Sequence, residues 1–296
     1  MRTPEPARRL FAGSLRSEKV AGSPLGIGFL RELQGNIQEW ISPLPKDADA
    51  DTTEFMRMSL LDAAEAEVAP IGTGIHRPYR VVFHSGMDAG PVTTRQAVLK
   101  TVYCQYENKR YCASVDLNIT GPEREILSYE MDRVLGFDLV PPVAGREIAG
   151  VGYGSVQAWV NQPTAWEWLS KGYDYREDKT NPWLHRLAAF DFIRGEIDRH
   201  ANNWIMDEEH RVYAIDNGYS IVKGDDRTWM RSSAGKHLVG TPIHPSVENE
   251  IASINEEAVA AVLAPKGFIH GEVEGVLKRI KELKGLDRWT KLGNLW

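Results

Sequence analysis

Apolar positions follow two different periods along this chain, and the switch between them organises it. In "GIGFLRELQGNIQEWI", Phe29, Leu30, Leu33, Ile37 and Trp40 recur at helical spacing, which predicts one short helix. A Pro-containing acidic linker, "SPLPKDADAD", separates it from a second predicted helix, "TTEFMRMSLLDAAEAEV", capped by Thr52 or Thr53. From residue 68 the texture changes to short β-rich runs divided by Gly and charged turns: "VAPIGTGIHRPYRVVFHSG", "QAVLKTVYCQY" and "RYCASVDL". These predict an antiparallel sheet. Helical spacing returns in "GPEREILSYEMDRVLGF", with Ile126, Tyr129, Val134 and Leu135 facing inward and Gly136 as the stop. "GSVQAWV" reads as a further strand. Beyond Pro163 the pattern is mostly helical, in "TAWEWLSKG", "PWLHRLAAFDFIRG", "NEEAVAAVLAP" and "GEVEGVLKRIKELKG".

A β-rich first half followed by a helical second half predicts an α+β fold in two lobes, joined near residues 158 to 163. The expected organisation is an extension with short helices over 1–60, a β-rich lobe over 61–161 and a helical lobe over 162–296. The 296 residues, 42% hydrophobic and 26% charged, are enough for a substantial core. A formal net charge of -6 argues against broad contact with a phosphate backbone, so no nucleic-acid partner is expected. The two cysteines, Cys104 and Cys112, flank "QYENKRY", a predicted hairpin turn, and supply neither a disulfide framework nor a zinc site. With no signal-type segment and no long apolar run, the expectation is a cytoplasmic protein without a transmembrane segment. The sequence leaves the oligomeric state open.

The chemistry concentrates in "RGEIDRHANNWIMDEEHRVYAIDNGYS". Asp198 lies just beyond an apolar helix, Asn203 follows in the same loop, and Asp216 ends a β-like run. Singly, each fits a cap or a turn. Together they form an oxygen-rich trio suited to a hard cation such as magnesium. Phosphoryl transfer needs a cation on the phosphates, a lysine beside them, an acid that positions that lysine, and a carboxylate facing the nucleophile. Lys100 ends the alternating strand "QAVLK", and Glu125 lies near the start of the following amphipathic helix, so strand-on-helix packing would pair them.

These segments resemble a known family. "VLK", "EILSYEMDRVLGFDLVPPVAGR", "GSVQAWV", "FDFIRGEIDRHANN" and "IDNGYSI" are similar to motifs of the atypical kinases related to phosphoinositide kinases. Within that clan the likeness is greatest to the Golgi casein kinase group of secretory-pathway kinases and its bacterial relatives, over roughly residues 68 to 222. The resemblance implies a bilobed protein-kinase-like fold, with a β-rich N-lobe holding one αC-type helix and a mainly helical C-lobe. It implies that Lys100 contacts the α and β phosphates of ATP, that Glu125 orients Lys100, and that Asp198 positions the attacking hydroxyl. Asn203 and Asp216 would hold Mg2+ or Mn2+, the backbone around Gln157, Ala158 and Trp159 would meet the adenine, and Arg199 and His200 would brace the loop. Gly72 and Gly74, in "PIGTGIHR", would cover the phosphates. Glu196 stands where relatives carry Asn, which implies a different metal or substrate contact at the loop entrance. The expected activity is ATP- and metal-dependent phosphorylation of protein Ser/Thr hydroxyls. A phosphoinositide or small-alcohol acceptor, nucleotidyl transfer, and a nucleotide-binding pseudokinase or scaffold are the alternatives.

Overall fold

The computed structural model describes residues 49–59, 64–71, 78–85, 93–101, 119–222, 224–264 and 270–293. The helix expected around Phe29 and Trp40, the turn bearing Gly72 and Gly74, and the hairpin with Cys104 and Cys112 lie outside these residues.

The described chain begins with helix α1, Ala50–Arg57. Its cap is Asp49, whose carboxylate accepts the Thr52 N–H at 2.6 Å, so the expected cap at Thr52 or Thr53 is corrected. The helix also stops earlier than expected, because Ala64–Pro70 forms strand β1. Ala and Glu favour helix locally, but "AEAEVAP" also alternates with period two, and pairing with the next strand decides the outcome. Strands β2 (Tyr79–Ser85) and β3 (Thr93–Thr101) follow. After helix α2 (Gly121–Leu135) come β4 (Val143–Ile148) and β5 (Gly152–Ala158). The five strands form one antiparallel sheet in the order β1-β2-β3-β5-β4. Strand β4 was not expected. Its "VAGREI" carries a glycine where a Cβ would collide with the Tyr153 hydroxyl, so the sequence reads as loop although the backbone pairs fully with β5.

The alternation in β3 sends Ala97 and Leu99 into the core and leaves Val98 and Lys100 on the opposite face. Helix α2 is defined at both ends by its sequence. Thr120 and Glu123 form a capping box, with the Thr120 N–H donating to Glu123 at 2.5 Å, and Gly136 closes the helix at φ 74°. The buried Asp132 carboxylate accepts the N–H groups of Leu139 and Val140 at 2.7 and 2.8 Å, tying the helix end to the approach to β4.

The second half is mainly helical: α3 (Ala165–Ser170), α4 (Pro182–Arg194), α5 (Ser233–Leu238), α6 (Pro245–Ser253), α7 (Glu256–Leu263) and α8 (His270–Lys284). A hairpin of β6 (Trp204–Met206) and β7 (Val212–Ala214) interrupts it. Helix α4 is the central element, with Leu187, Ala188, Ala189, Phe190, Phe192 and Ile193 fully buried. Its C-terminal Gly195 holds φ 63° and delivers the chain into the loop that carries Asp198. The fold is thus α+β, with an antiparallel sheet followed by helices. Among the described residues, no helix is long and apolar enough to cross a membrane.

Candidate functional site

Lys100 projects from the end of β3 and meets groups from two other parts of the chain. Its Nζ donates to Glu125 Oε1 of α2 at 2.6 Å and to Asp216 Oδ1, just after β7, at 2.9 Å. Glu125 is almost wholly buried, with its side chain 3% exposed, whereas Asp216 retains 30%. Burial by itself would lower the Lys100 pKa, but the Asp216 and Glu125 carboxylates outweigh it and hold the amine above its usual range. Asp216 reaches this position with a left-handed backbone, φ 55°, which is uncommon outside glycine and orients the carboxylate back toward β3. Gly154 lets β5 lie close to β3 here, since a Cβ at that position would strike the Lys100 carbonyl.

Asp198 and Asn203 occupy one loop. The Asn203 side-chain amide donates to the Asp198 carbonyl at 2.9 Å, and the Asn203 N–H donates to the His200 carbonyl at 2.9 Å. Burial, followed by the nearby Asp216 charge, pushes the Asp198 carboxyl up to about 6. His200 Nε2 lies 4.0 Å from Asp198 Oδ2, and burial and the Arg231 charge hold the imidazole below its ordinary range. Arg231 itself is exposed, and its N–H donates to the Glu196 carbonyl at 2.8 Å.

A buried ionic network fixes both loops. Arg199 donates from Nε to Asp191 at 2.9 Å, from Nη1 to the Asn203 and Ile215 carbonyls at 2.5 Å each, and from Nη2 to Asn217 Oδ1 at 2.6 Å. Arg194 reaches the same Asn217 oxygen at 3.0 Å and also Glu196 at 3.0 Å. Ser232 donates to the other Asp191 oxygen at 2.7 Å. Glu196 is fully buried and accepts the Ile197 and Asp198 N–H groups at 3.1 and 2.9 Å. The Glu196 carboxylate is turned inward and holds the Asp198 backbone from behind, so it bears on the loop entrance through the position of Asp198. Two cations and two anions neutralise one another here. Removing one member of such a set costs about 3–5 kcal/mol, because its partner is left charged in the interior. Arg199 acts as a loop brace, while His200 sits half-exposed at the rim.

Asn217, Asp191 and Ser232 were not singled out from sequence. The available signal was the placement of Asp191 and Arg194 inside the apolar run "LAAFDFIRG", since charges on an all-buried helix require partners.

The residues expected near adenine lie at the end of β5. Ala158 is opposite Ala97, and Lys100 is opposite Ser155, which separates the two regions by roughly 10 Å along the strand. The N–H groups of Ala158 and Trp159 are taken by the Pro142 and Gln96 carbonyls at 2.8 and 3.0 Å, and Gln157 pairs within the sheet. Trp159 is 37% exposed. A base at this edge would therefore meet carbonyls and the chain after Trp159, not those two amides.

Lys100, Thr101, Gly121, Glu125, Asp216 and Gly218 line a cavity of about 30 Å³. A groove of about 820 Å³ opens at this β5 edge and runs past Arg80, Arg95, Asp138, Trp159 and Arg211. Its Arg95 and Arg211 are paired with Asp51 and Asp138, at 2.9 and 2.6 Å. It lacks the convergence of lysine and carboxylates that marks the smaller cavity as the candidate site. Among the described residues no three His, Cys, Asp or Glu side chains form a metal cluster. Asp216 and Asn203 carry oxygens of the kind that magnesium takes where phosphate and water complete its shell.

No family model matches the chain. It is similar to Protein Rv2133c of Mycobacterium tuberculosis, with 25% identity over 189 residues, covering 53% of this chain and 66% of that protein. The name of that protein states no activity.

Proposed function

We propose that the chain is an ATP- and metal-dependent phosphotransferase on a bilobed, protein-kinase-like frame, with protein Ser/Thr hydroxyls as acceptors. The observation that carries this reading is the single ammonium of Lys100 held between Glu125 and Asp216, three residues drawn from separate parts of the chain. The antiparallel sheet, the long helix α2 that brings Glu125 to Lys100, and the helical second half support it.

Lys100 supplies fixed positive charge for the phosphates, and Glu125 keeps it on the cavity side. Asp216 and Asn203 are the metal ligands. A bound Mg2+ or Mn2+ supplies charge neutralisation across the phosphate oxygens. Asp198 orients the acceptor hydroxyl. As the bond from the γ-phosphorus to the ADP oxygen breaks and the bond to the acceptor oxygen forms, Asp198 takes the hydroxyl proton. Burial and the Asp216 charge push this carboxyl up to about 6, closer to neutral pH than an ordinary aspartate, which suits a base. The edge of β5 near Trp159 is the place for adenine.

The test uses γ-labelled and, separately, α-labelled ATP with wild type and Asp216→Ala, in magnesium or manganese. Label from the γ position should pass to protein and depend on Asp216. Transfer from the α position would replace this reading with nucleotidylation. Nucleotide binding without transfer would make the chain a pseudokinase, and γ transfer to lipid or a small alcohol would change the acceptor.

A further inference from the structure

The segment that carries Asp216 continues through Gly218 to Ser220 and Ile221, and Ile221 holds φ 59°. A β-branched side chain takes up left-handed backbone only where its surroundings impose it. Both polar backbone groups of Ile221 are held. Its N–H donates to the Arg194 carbonyl, at the end of α4, at 2.6 Å. Its carbonyl accepts from Arg124 Nη1, on α2, at 3.1 Å. The same Nη1 donates to the Ser220 carbonyl, and Arg124 Nε donates to the Ile119 carbonyl at 3.3 Å. Arg124 and the Ile221 side chain are fully buried. Ile221 is thus joined on one side to the helix that carries Glu125 and on the other to the helix that leads into the Asp198 loop.

We propose that Arg124 is a positioning residue that fixes α2 to the tail of the Asp216 loop, so that the Lys100–Glu125 pair and Asp216 move as one unit. The inference rests on the phosphotransferase reading for its consequence, but not for its geometry. Glu125 is the next residue in the same helical turn, so displacement of Arg124 displaces Glu125. Displacement of Ile221 frees the segment leading back to Asp216. A guanidinium suits this task because its fork sends separate N–H groups to carbonyls in different directions, whereas a lysine ammonium on a flexible stem lacks that fork. Metal-assisted nucleotide binding should therefore depend on a buried cation that meets neither metal nor nucleotide.

The experiment compares full-length wild type, Arg124→Lys, Arg124→Met and a control, Ser128→Ala. The control removes a 2.6 Å bond from Ser128 Oγ to the Arg124 carbonyl and leaves the Arg124 side chain in place. Hydrogen exchange is followed by mass spectrometry over residues 214–222. Binding of a non-hydrolysable ATP analogue is measured by calorimetry with and without MnCl2. In Arg124→Lys, exchange should quicken selectively over 216–222, and the gain in analogue affinity given by manganese should fall about tenfold. Affinity without manganese should hold, and Ser128→Ala should match wild type in both readouts. Wild-type protection over 216–222 in both Arg124 variants would overturn the proposal. So would loss of protection only in step with the whole chain. If wild type binds no analogue with manganese, the phosphotransferase reading fails, and the exchange measurement still decides the role of Arg124.

Discussion

Lys100→Met tests the central cluster directly, because it removes the one cation that separates two carboxylates. Wild-type Lys100 makes charge-assisted bonds of 2.6 and 2.9 Å. Removing it leaves Glu125, at 3% exposure, charged without its ammonium, whereas Asp216, at 30%, still meets solvent. Loss of one partner of a buried pair costs about 3–5 kcal/mol, and the exposure of Asp216 places this case near the low end, about 3 kcal/mol. At about 2–4 °C per kcal/mol for a chain of this size, Tm should fall by roughly 6–12 °C. Adding Glu125→Gln removes the buried charge and should recover about 1–2 kcal/mol, a coupling expected between groups in direct contact. The Lys100 pKa is raised, so its contribution is complete below the ordinary 10.5 and is lost only as pH rises through the higher folded value. The cost should therefore be flat between about pH 6 and 9. Urea unfolding followed by tryptophan fluorescence measures all three proteins, and magnesium should restabilise Lys100→Met more than wild type by mass action at Asp216. A Lys100→Met protein within about 0.5 kcal/mol of wild type, or a double variant no better than the single, would refute the reasoning.

Four other outcomes are expected. Asp198→Asn should retain binding of ATP with manganese while turnover drops about 10²–10⁴-fold, as measured by γ-label transfer; equal turnover would remove Asp198 from proton transfer. Burial, opposed by the Val140 and Leu139 N–H groups, pushes Asp132 up to about 7 from 3.8. Between these values the folded state holds a proton that the unfolded state lacks, so the Asp132 contribution grows as pH falls from 7 toward 4 and is lost as pH rises through 7. Wild type minus Asp132→Asn stability should follow that trend in urea titrations, by up to about 1.4 kcal/mol per pH unit. His185 has the opposite sign: burial lowers its pKa below 6.5, and its Nδ1 accepts from Trp289 Nε1 at 2.9 Å and the His244 N–H at 3.0 Å. Its contribution is complete above pH 6.5 and is lost as pH falls toward the folded pKa, so His185→Phe should flatten that acid loss in thermal melts while lowering Tm at pH 7.5. Gly154→Ala should cost about 1–3 kcal/mol and weaken nucleotide binding together, because its Cβ meets the Lys100 carbonyl; a change in neither would show that β5 has room to shift.

The legible parts of the fold were those in which local chemistry and global packing agree. Helix α2 shows its apolar positions and its Gly136 stop in one stretch, and the structure buries Ile126, Tyr129 and Leu135 and closes the helix at Gly136, while Val134 is only partly buried and the capping box of Thr120 and Glu123 is seen in the structure alone. Helix α4 likewise began at Pro182 and ended at Gly195 as its pattern implied. Strand β1 was lost to its Ala and Glu content, which favours helix until β2 supplies a partner, and β4 was hidden by Gly145, which is there because Tyr153 packs over it. Helix α5, Ser233–Leu238, is as short as α3, but "SAGKHL" has neither the tryptophans nor the Thr-to-Glu capping box that make α3 readable. Local pattern does not encode a neighbour that arrives from a distant part of the chain.

The same asymmetry runs through the site. Lys100, Glu125, Asp198, Asn203 and Asp216 were visible because their functional groups suit one chemistry in one order, and the structure joins Lys100 to Glu125 and Asp216, and Asn203 to Asp198. The residues that set their geometry have no such signature. Glu196 stands out in sequence only as a departure from Asn at the loop entrance, and the helix end at Gly195 turns it inward, where Arg194 and Arg199 neutralise it. An apolar side chain there would pack without charge, but it would not accept the Asp198 N–H and would leave Arg194 without its carboxylate. Charge buried at the Asp191, Arg194, Glu196 and Arg199 cluster thus buys direction in place of stability: it points the backbone of one loop toward Asp198 and, through Asn217, that of another toward Asp216. Arg124 extends the same device to α2. Lys100, Glu125, Asp198 and Asp216 lie on four segments, and three of these, α2 and the Asp198 and Asp216 loops, are framed by guanidinium groups bonded to backbone carbonyls.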